Sequence, residues 1–252
     1  MTAWDPGQYE LYANERLRPA LDLIGRIPGD PSMIWDLGCG TGAITGLLAH
    51  RWPNAAVYGH DSSPEMLERA RLIASVEWVE GTIESWSPAK PVDLVFSNAA
   101  LQWVGDHDSL LPRLAGHVRP GGTLAIQMPR NYGEPSHLLL AETAQSDRWR
   151  QLLGEVTRRP PVAPPDHYLR ILRGHTVAVD IWETTYLQVL EGEDPVAEWT
   201  RAAGARPYLT AAGDESDAFM ADYSKRLRAA YPREPDGATL FPFRRLFIVA
   251  RR

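Results

Sequence analysis

The stretch Ile34-Trp35-Asp36-Leu37-Gly38-Cys39-Gly40-Thr41-Gly42 constrains the chain more than any other. Met33–Leu37 is a short apolar run that predicts a buried parallel strand, and the glycines behind it let the backbone turn tightly into a helix over Ala43–Arg51, stopped by Pro53. A turn of this kind brings backbone close to a ligand, where a Cβ would collide. Alone it is weak evidence, but it has a partner. Asp61 closes a second strand, 19 residues after Gly42. A carboxylate at that place accepts hydrogen bonds from both ribose hydroxyls of a nucleoside and repels a 2′-phosphate.

The spacing also says which nucleoside. A dinucleotide site needs Gly-x-Gly-x-x-Gly; here the third glycine comes one residue early, and no Lys or Arg stands nearby to meet a pyrophosphate. The phosphate-binding loop that ends in Gly-Lys-Ser/Thr is absent. Asp36 stands two residues before the first glycine, at the strand tip. An acid there suits a cationic head such as an ammonium or sulfonium and would repel a phosphate.

The first half continues the alternation of strand and helix. Strands are predicted over Ala56–Gly59, Val76–Val79, Val92–Phe96 and Thr123–Met128, the last launched by a turn at Arg119-Pro120-Gly121-Gly122. Helices are predicted from Pro64 to about Ile73, capped by Ser62 or Ser63, and over His107–His117. The second half is less regular: helices over Ser136–Leu153, Asp166–Arg173, Pro195–Ala203 and Glu215–Tyr231, a long strand over Val177–Leu190, and a last strand over Leu246–Ala250. Pro160-Pro161-Val162-Ala163-Pro164-Pro165 is too short to link independent domains and is expected to be an ordered surface connection. The expected fold is α/β: a doubly wound, Rossmann-like, mostly parallel sheet with a helical cap from the second half.

Composition closes off several classes. Hydrophobic residues at 44% and charged residues at 23% are those of a globular chain, not a disordered one. A net charge of -6 without a long basic run argues against nucleic acid. One cysteine excludes internal disulfides and fits a reducing compartment. No apolar run reaches membrane-spanning length, and Met1-Thr2-Ala3-Trp4-Asp5-Pro6 does not resemble a secretory leader. A cytoplasmic monomer or small homo-oligomer is expected, with no membrane partner. No metal-ligating set is assigned.

Asp36-Leu37-Gly38-Cys39-Gly40-Thr41-Gly42, Asp61-Ser62-Ser63-Pro64-Glu65-Met66-Leu67 and Arg119-Pro120-Gly121-Gly122 together resemble the class I S-adenosylmethionine-dependent methyltransferases. The resemblance implies a seven-stranded sheet with an antiparallel last strand, and S-adenosylmethionine as cofactor. It implies Asp36, Gly38, Gly40, Gly42, Asp61, Ser62, Ser97 and Asn98 as cofactor contacts, with Met66 on one face of the adenine. After the third strand that family carries an Asp toward the adenine amine. Here Glu80-Gly81-Thr82-Ile83 offers Thr82 as the polar reader and Ile83 as an apolar wall.

Over nearly the whole chain the resemblance narrows to the trans-aconitate 2-methyltransferases. It is carried by Trp4-Asp5-Pro6, Tyr9, Glu15-Arg16-Leu17-Arg18-Pro19, Ser97-Asn98-Ala99-Ala100-Leu101-Gln102-Trp103 and Gln127-Met128-Pro129. Asp180-Ile181-Trp182-Glu183-Thr184-Thr185-Tyr186, Arg206-Pro207 and Arg245-Leu246-Phe247-Ile248-Val249-Ala250-Arg251 carry it further. What it implies is methyl transfer onto one carboxylate of trans-aconitate, within one domain. The core is then expected over about 30–130, 166–190 and 240–252, an N-terminal lid over 1–29, and cap insertions over about 131–165 and 191–235.

Carboxylate methylation asks little of acid–base chemistry, because a carboxylate with a pKa near 4 is already ionised at neutral pH. Alignment in a dry site can supply roughly 7–11 kcal/mol of the barrier. His107 is the nearest candidate base, and a surface histidine at a helix start is the plainer reading. Cys39 reads as a small filler in the turn. A polycarboxylate drawn out of water needs forked cationic donors. The chain holds 24 Arg against 2 Lys, which codon bias also explains. Candidate substrate contacts are Arg16, Arg18, Arg130, Arg206 and Arg245, with Tyr9, Tyr12 and Trp103 as walls, and Arg206 is expected beside Pro207 and Tyr208 in a short connection. Rival readings are a quinone-type C-methyltransferase, a nucleotide-cofactor oxidoreductase and a non-catalytic module that senses the cofactor. The polar, Arg-rich second half disfavours the first, and the glycine spacing the second.

Overall fold

A computed structural model describes residues 13–156, 162–201 and 204–252, with 13–16 as backbone only. The chain divides into two compact units. One comprises 16–129, 162–184 and 245–252; the other comprises 1–15, 130–161 and 185–244.

The first unit is organised by its sheet. In chain order the elements are α1 (Ala13–Gly25), β1 (Met33–Leu37), α2 (Ala43–Arg51), β2 (Ala56–Asp61), α3 (Pro64–Ala70), β3 (Glu77–Glu80), β4 (Val92–Asn98), α4 (His107–His117), β5 (Val118–Pro129) and α7 (Pro165–Leu172), with β6 (Ala178–Leu190) and β7 (Thr239–Arg251) running on into the other unit. The seven strands lie in the order β3-β2-β1-β4-β5-β7-β6. β1 pairs parallel with β2 and β4, β2 with β3, and β4 with β5, whereas β7 is antiparallel to β5. The central strands are apolar on both sides, as crossover helices on both faces demand: Val92 to Ser97 of β4 are all buried. The strand order reverses direction between β1 and β4, and ligands of open α/β sheets bind at the carboxyl ends beside such a reversal. At the opposite ends, buried Asp93 accepts from the Ser32 and Met33 amides at 3.0 and 2.8 Å, from the Ser32 hydroxyl at 2.5 Å, and from Arg119. Burial works to raise its pKa, but these bonds prevail and hold it below the ordinary value.

The second unit has its own core. Its helices are α5 (Pro135–Ala144), α6 (Arg150–Leu153), α8 (Pro195–Arg201), α9 (Arg206–Ala212) and α10 (Ser216–Ala230). Trp149, Trp199, Tyr208, Phe219, Tyr223, Phe241 and Phe243 pack together, with the Trp149 and Phe219 rings edge-on at 5.4 Å. The polar tips of these aromatics are satisfied where they are buried: Trp149 Nε1 donates to Asp222 at 2.8 Å and the Tyr223 hydroxyl to the Ser136 carbonyl at 2.6 Å.

The structure corrects four local expectations. The helix expected over Ser136–Leu153 is two helices, α5 and α6. The Thr143 and Ser146 hydroxyls donate to the carbonyls of Leu139 and Thr143 at 2.6 and 2.7 Å, offering the backbone an alternative to continuation. Arg119–Gly122 is no turn. It lies inside β5 at a register shift against β4, with Gly121 at φ +81°. The connection expected around Arg206 is α9, started by Pro207 in its first turn. The last strand begins at Thr239 instead of Leu246, because Phe241, Phe243 and Arg245 alternate inward around an exposed Pro242. Of the proline-rich stretch, residues 160 and 161 lie outside the described residues.

Candidate functional site

The glycine turn sits at the carboxyl end of β1, where its conformation is imposed by close packing. Gly38 and Gly42 have φ of +76° and +79°. A Cβ on Gly38 would stand 2.2 Å from the Ala100 Cβ, and one on Gly42 2.4 Å from the Trp78 ring. Both glycines are therefore required by the protein's own packing. Gly40, at φ +55°, differs: a Cβ there would meet nothing within 4 Å, so open space lies over the middle of the turn. The His60 carbonyl, at the end of β2, accepts from the Gly38 and Cys39 amides at 2.7 and 3.2 Å and fixes the turn to the neighbouring strand.

Two carboxylates flank this opening. Asp61 accepts from the Gly40 amide at 2.8 Å through one oxygen and from the Ser63 amide at 2.9 Å through the other. Each oxygen retains a second lone pair, and the residue is only half-buried. Asp61 thus joins the glycine turn to the start of α3, which the Ser63 hydroxyl caps by accepting from the Met66 amide at 3.3 Å. Ser63 is the cap, while Ser62 is exposed. Asp36 is 2% exposed and accepts from the Thr45 hydroxyl at 2.6 Å. Burial raises its pKa to about 7; the Thr45 bond opposes the shift, and the charge of Asp61 adds to it. An acid kept this far from water can be ionised at neutral pH by a cation placed against it.

The remaining sequence-stated cofactor candidates gather at the same strand ends with unequal roles. Ile83 is buried, with its Cδ1 3.6 Å from the place a Gly38 Cβ would take. Thr82 is exposed, and its hydroxyl accepts from the Ser85 amide at 3.3 Å. Met66 is half-buried in the first turn of α3. The Ser97 hydroxyl is fully buried and donates to the Leu37 carbonyl at 2.8 Å, which binds β4 to β1. Asn98 ends β4, and its side-chain oxygen is buried without a partner among the described residues. The next residue, Ala99, holds a left-handed φ of +53°, a strained turn that its amide secures on the Gln127 carbonyl at 2.9 Å.

The candidate base His107 has both ring nitrogens engaged, and the filler Cys39 is buried. His107 Nε2 donates to the Leu101 carbonyl at 2.9 Å, which leaves Nδ1 to accept from the Tyr168 hydroxyl at 2.8 Å. That hydroxyl in turn accepts from the Ala163 amide at 3.1 Å. His107 is a latch between α4, α7 and the helical turn Leu101–Trp103, with no lone pair left for a reactant. Cys39 is buried, and burial together with Asp36 and Asp61 pushes its thiol far above the ordinary range, so it stays protonated.

The substrate candidates are distributed over both units. Tyr9 and Tyr12 lie outside the described residues, as does the side chain of Arg16. Arg18 is exposed on α1. Trp103, in the same unit, is 43% exposed on the helical turn after β4. Arg245, also in that unit, is 5% exposed on β7 opposite Pro129. Arg130 and Arg206 belong to the second unit, both half-buried, with Arg206 opening α9. Sequence reasoning missed Thr45, the partner of Asp36, and Trp78, whose ring lies where a Cβ on Gly42 or Gly59 would stand. Neither stands in a pattern that announces its role.

A methyltransferase-domain family model matches residues 34–122, the span from β1 into β5. The trans-aconitate 2-methyltransferase of Azoarcus sp. (strain BH72) is 48% identical over 255 residues, covering 100% of both chains. That of Streptomyces avermitilis is 45% identical over 262 residues, covering 99% of this chain and 97% of its own. Among solved structures, a phosphoethanolamine N-methyltransferase 2 of Haemonchus contortus, in complex with phosphomonomethylethanolamine and S-adenosylhomocysteine, superposes with a TM-score of 0.55 at 18% identity. The match covers 93% of this chain and 52% of that one, a likeness of fold.

Proposed function

The chain belongs to the trans-aconitate 2-methyltransferase family, and from that premise we propose that it transfers the methyl group of S-adenosylmethionine to a carboxylate of trans-aconitate. The products are a monomethyl ester and S-adenosylhomocysteine. The observation that carries the reading is the pairing of a buried acid, Asp36, with an open glycine turn held by a second acid, Asp61. Such a site suits a nucleoside with a cationic head and rejects a pyrophosphate.

The residues fit the donor group by group. Asp61 has lone pairs left for a ribose diol, Gly40 leaves room for close approach, Ile83 supplies an apolar wall, and Asp36 meets positive charge. S-Adenosylmethionine, when bound, supplies a methyl group on a sulfonium. The protein's part is to bind and orient, because the acceptor carboxylate arrives already ionised and needs no base. The engagement of both His107 nitrogens accords with that.

Acceptor recognition falls to Arg206 and Arg245 in this proposal, with Tyr9, Tyr12, Arg16, Arg18, Trp103 and Arg130 as further contacts. Each arginine offers a planar fork that matches a carboxylate. The division of the chain into a donor-binding core, an N-terminal lid and helical cap insertions is part of the same proposal. So is a cytoplasmic location, free of nucleic acid, as a monomer or small homo-oligomer; among the described residues no helix is long and apolar enough to cross a membrane. The decisive assay is transfer of labelled methyl to trans-aconitate, with the ester identified by mass. Binding of S-adenosylhomocysteine without any transfer to this acid would refute the assignment of acceptor while leaving the donor site standing.

A further inference from the structure

Gln127 lies near the carboxyl end of β5, paired with Asn98 of β4 on one side and Phe247 of β7 on the other. Its side chain is fully buried, and neither the nitrogen nor the oxygen of its carboxamide has a hydrogen-bond partner among the described residues. An unsatisfied buried amide costs about 1–3 kcal/mol for each group left unpaired, so a chain that keeps one in its sheet keeps it for a partner. The Asn98 side-chain oxygen beside it is in the same condition. Main-chain pairing does not account for either side chain: the Gln127 carbonyl is already taken by the Ala99 amide.

Register gives the direction. Asp36 pairs with Phe96, and Asn98 with Gln127, while Phe96 and Asn98 are two residues apart on one strand. Side chains alternate along a strand, so Asp36, Asn98 and Gln127 lie on one face of the sheet. β5 is two strands from β1, about 10 Å at the usual spacing. The ends of β1, β2 and β3 are committed to the nucleoside by Asp36, Gly40, Asp61 and Ile83. An acceptor that reaches the methyl group must come from the β4 and β5 side, a few ångströms beyond the cationic head. A neutral carboxamide is suited to that place: it donates to a carboxylate oxygen, yet carries no charge that would have to be buried when the site is vacant.

We propose that Gln127 determines acceptor specificity, its Nε2 donating to a carboxylate oxygen of the polycarboxylate that is not methylated. The inference rests on the proposed function and adds the residue that reads the acceptor from the sheet side. It is tested with Gln127→Met, which keeps volume and removes both polar ends, and with Gln127→Glu, in the full chain. For Gln127→Met the KM for trans-aconitate should rise at least tenfold. The calorimetric Kd for S-adenosylhomocysteine should stay within twofold, and Tm should hold or increase because an unpaired amide has been removed. Gln127→Glu should be nearly inactive at pH 8 through repulsion of the acid and should recover as falling pH protonates the new carboxyl, a pH response the parent lacks. An unchanged KM in Gln127→Met would overturn the proposal and leave Gln127 as a host for a buried water. A lowered Tm with equal losses in donor and acceptor affinity would overturn it in favour of a packing role. If the parent itself moves no methyl to trans-aconitate, the proposed function fails first, and this assignment falls with it.

Discussion

On the proposed placement of the cationic head against Asp36, donor binding should depend on pH. In the folded protein its pKa is raised from the ordinary 3.8 to about 7, by burial first, with the Thr45 hydroxyl opposing and the Asp61 charge adding. The acid is therefore mostly neutral below pH 7 and can meet a cation only after losing its proton. If the ammonium-bearing head binds the ionised form, the apparent Kd scales as one plus the ratio of protonated to ionised Asp36. At pH 6 that factor is about 11 and at pH 7.5 about 1.3, so affinity should improve roughly eightfold across the interval, or about 1.2 kcal/mol. The window stops at pH 7.5 because an α-amino group itself loses its proton near pH 8. Titration calorimetry with S-adenosylhomocysteine, which keeps the ammonium and lacks the sulfonium, isolates this contact. Asp36→Asn should bind more weakly and without the slope. Thr45→Val removes the bond that favours the charged form, so it should move the rise to higher pH. The unliganded protein should show the opposite linkage. A raised carboxyl pKa contributes stability that is complete below pH 3.8 and is lost as pH climbs through about 7, so Asp36→Asn should raise Tm relative to the parent at pH 8. A parent Kd that stays flat from pH 6 to 7.5, or a slope that survives in Asp36→Asn, would refute the placement of the cationic head at Asp36.

Other substitutions separate the remaining roles. Asp61→Ala should weaken S-adenosylhomocysteine by about 1.5–3 kcal/mol, the scale of a charged hydrogen bond, and an unchanged calorimetric Kd would contradict the ribose assignment. At saturating substrates the parent's turnover should be nearly flat from about pH 6.5 to 9. His107→Ala should cost less than about tenfold in turnover, within roughly 1.4 kcal/mol, while lowering Tm through loss of the Tyr168 and Leu101 bonds; a steep rate limb near pH 7 that the substitution abolishes would restore it as a base. Arg206→Ala and Arg245→Ala should each raise the KM for trans-aconitate tenfold or more with donor affinity nearly unchanged, and Lys should rescue only in part; parent-like kinetics in both would move the acceptor site elsewhere. Gly42→Ala should destabilise by about 2–5 kcal/mol in denaturant titration, since it combines a left-handed φ with a Cβ driven into Trp78, and a loss under 1 kcal/mol would show that the ring simply swings away.

The glycine turn and the elements around it were legible in the chain because their signals are local. A glycine turn, the acid two residues before it and the acid at the end of the next strand lie within 26 residues, Asp36 to Asp61. The backbone conformations they impose do not wait for distant contacts, and β1, α2 and α4 have the bounds expected of them. Interrupted patterns conceal elements. Pro242 and the Arg244-Arg245 pair hide the first half of β7, and Pro207 suits a connection as well as the first turn of α9.

Tertiary structure alone decided the state of each polar group. That Asp36 is shut from water against Thr45, that both His107 nitrogens are engaged and that, among the described residues, neither end of the Gln127 amide is, are consequences of long-range packing. His107 and Tyr168 stand 61 residues apart in the chain, yet their bond, with the one to Leu101, engages both nitrogens of this histidine. Sequence determined the glycine turn and the strand and helix it joins, because local backbone geometry is encoded locally. Which polar groups are desolvated, paired or unpaired was set by the fold, because desolvation and hydrogen bonding depend on neighbours that only the folded chain brings together.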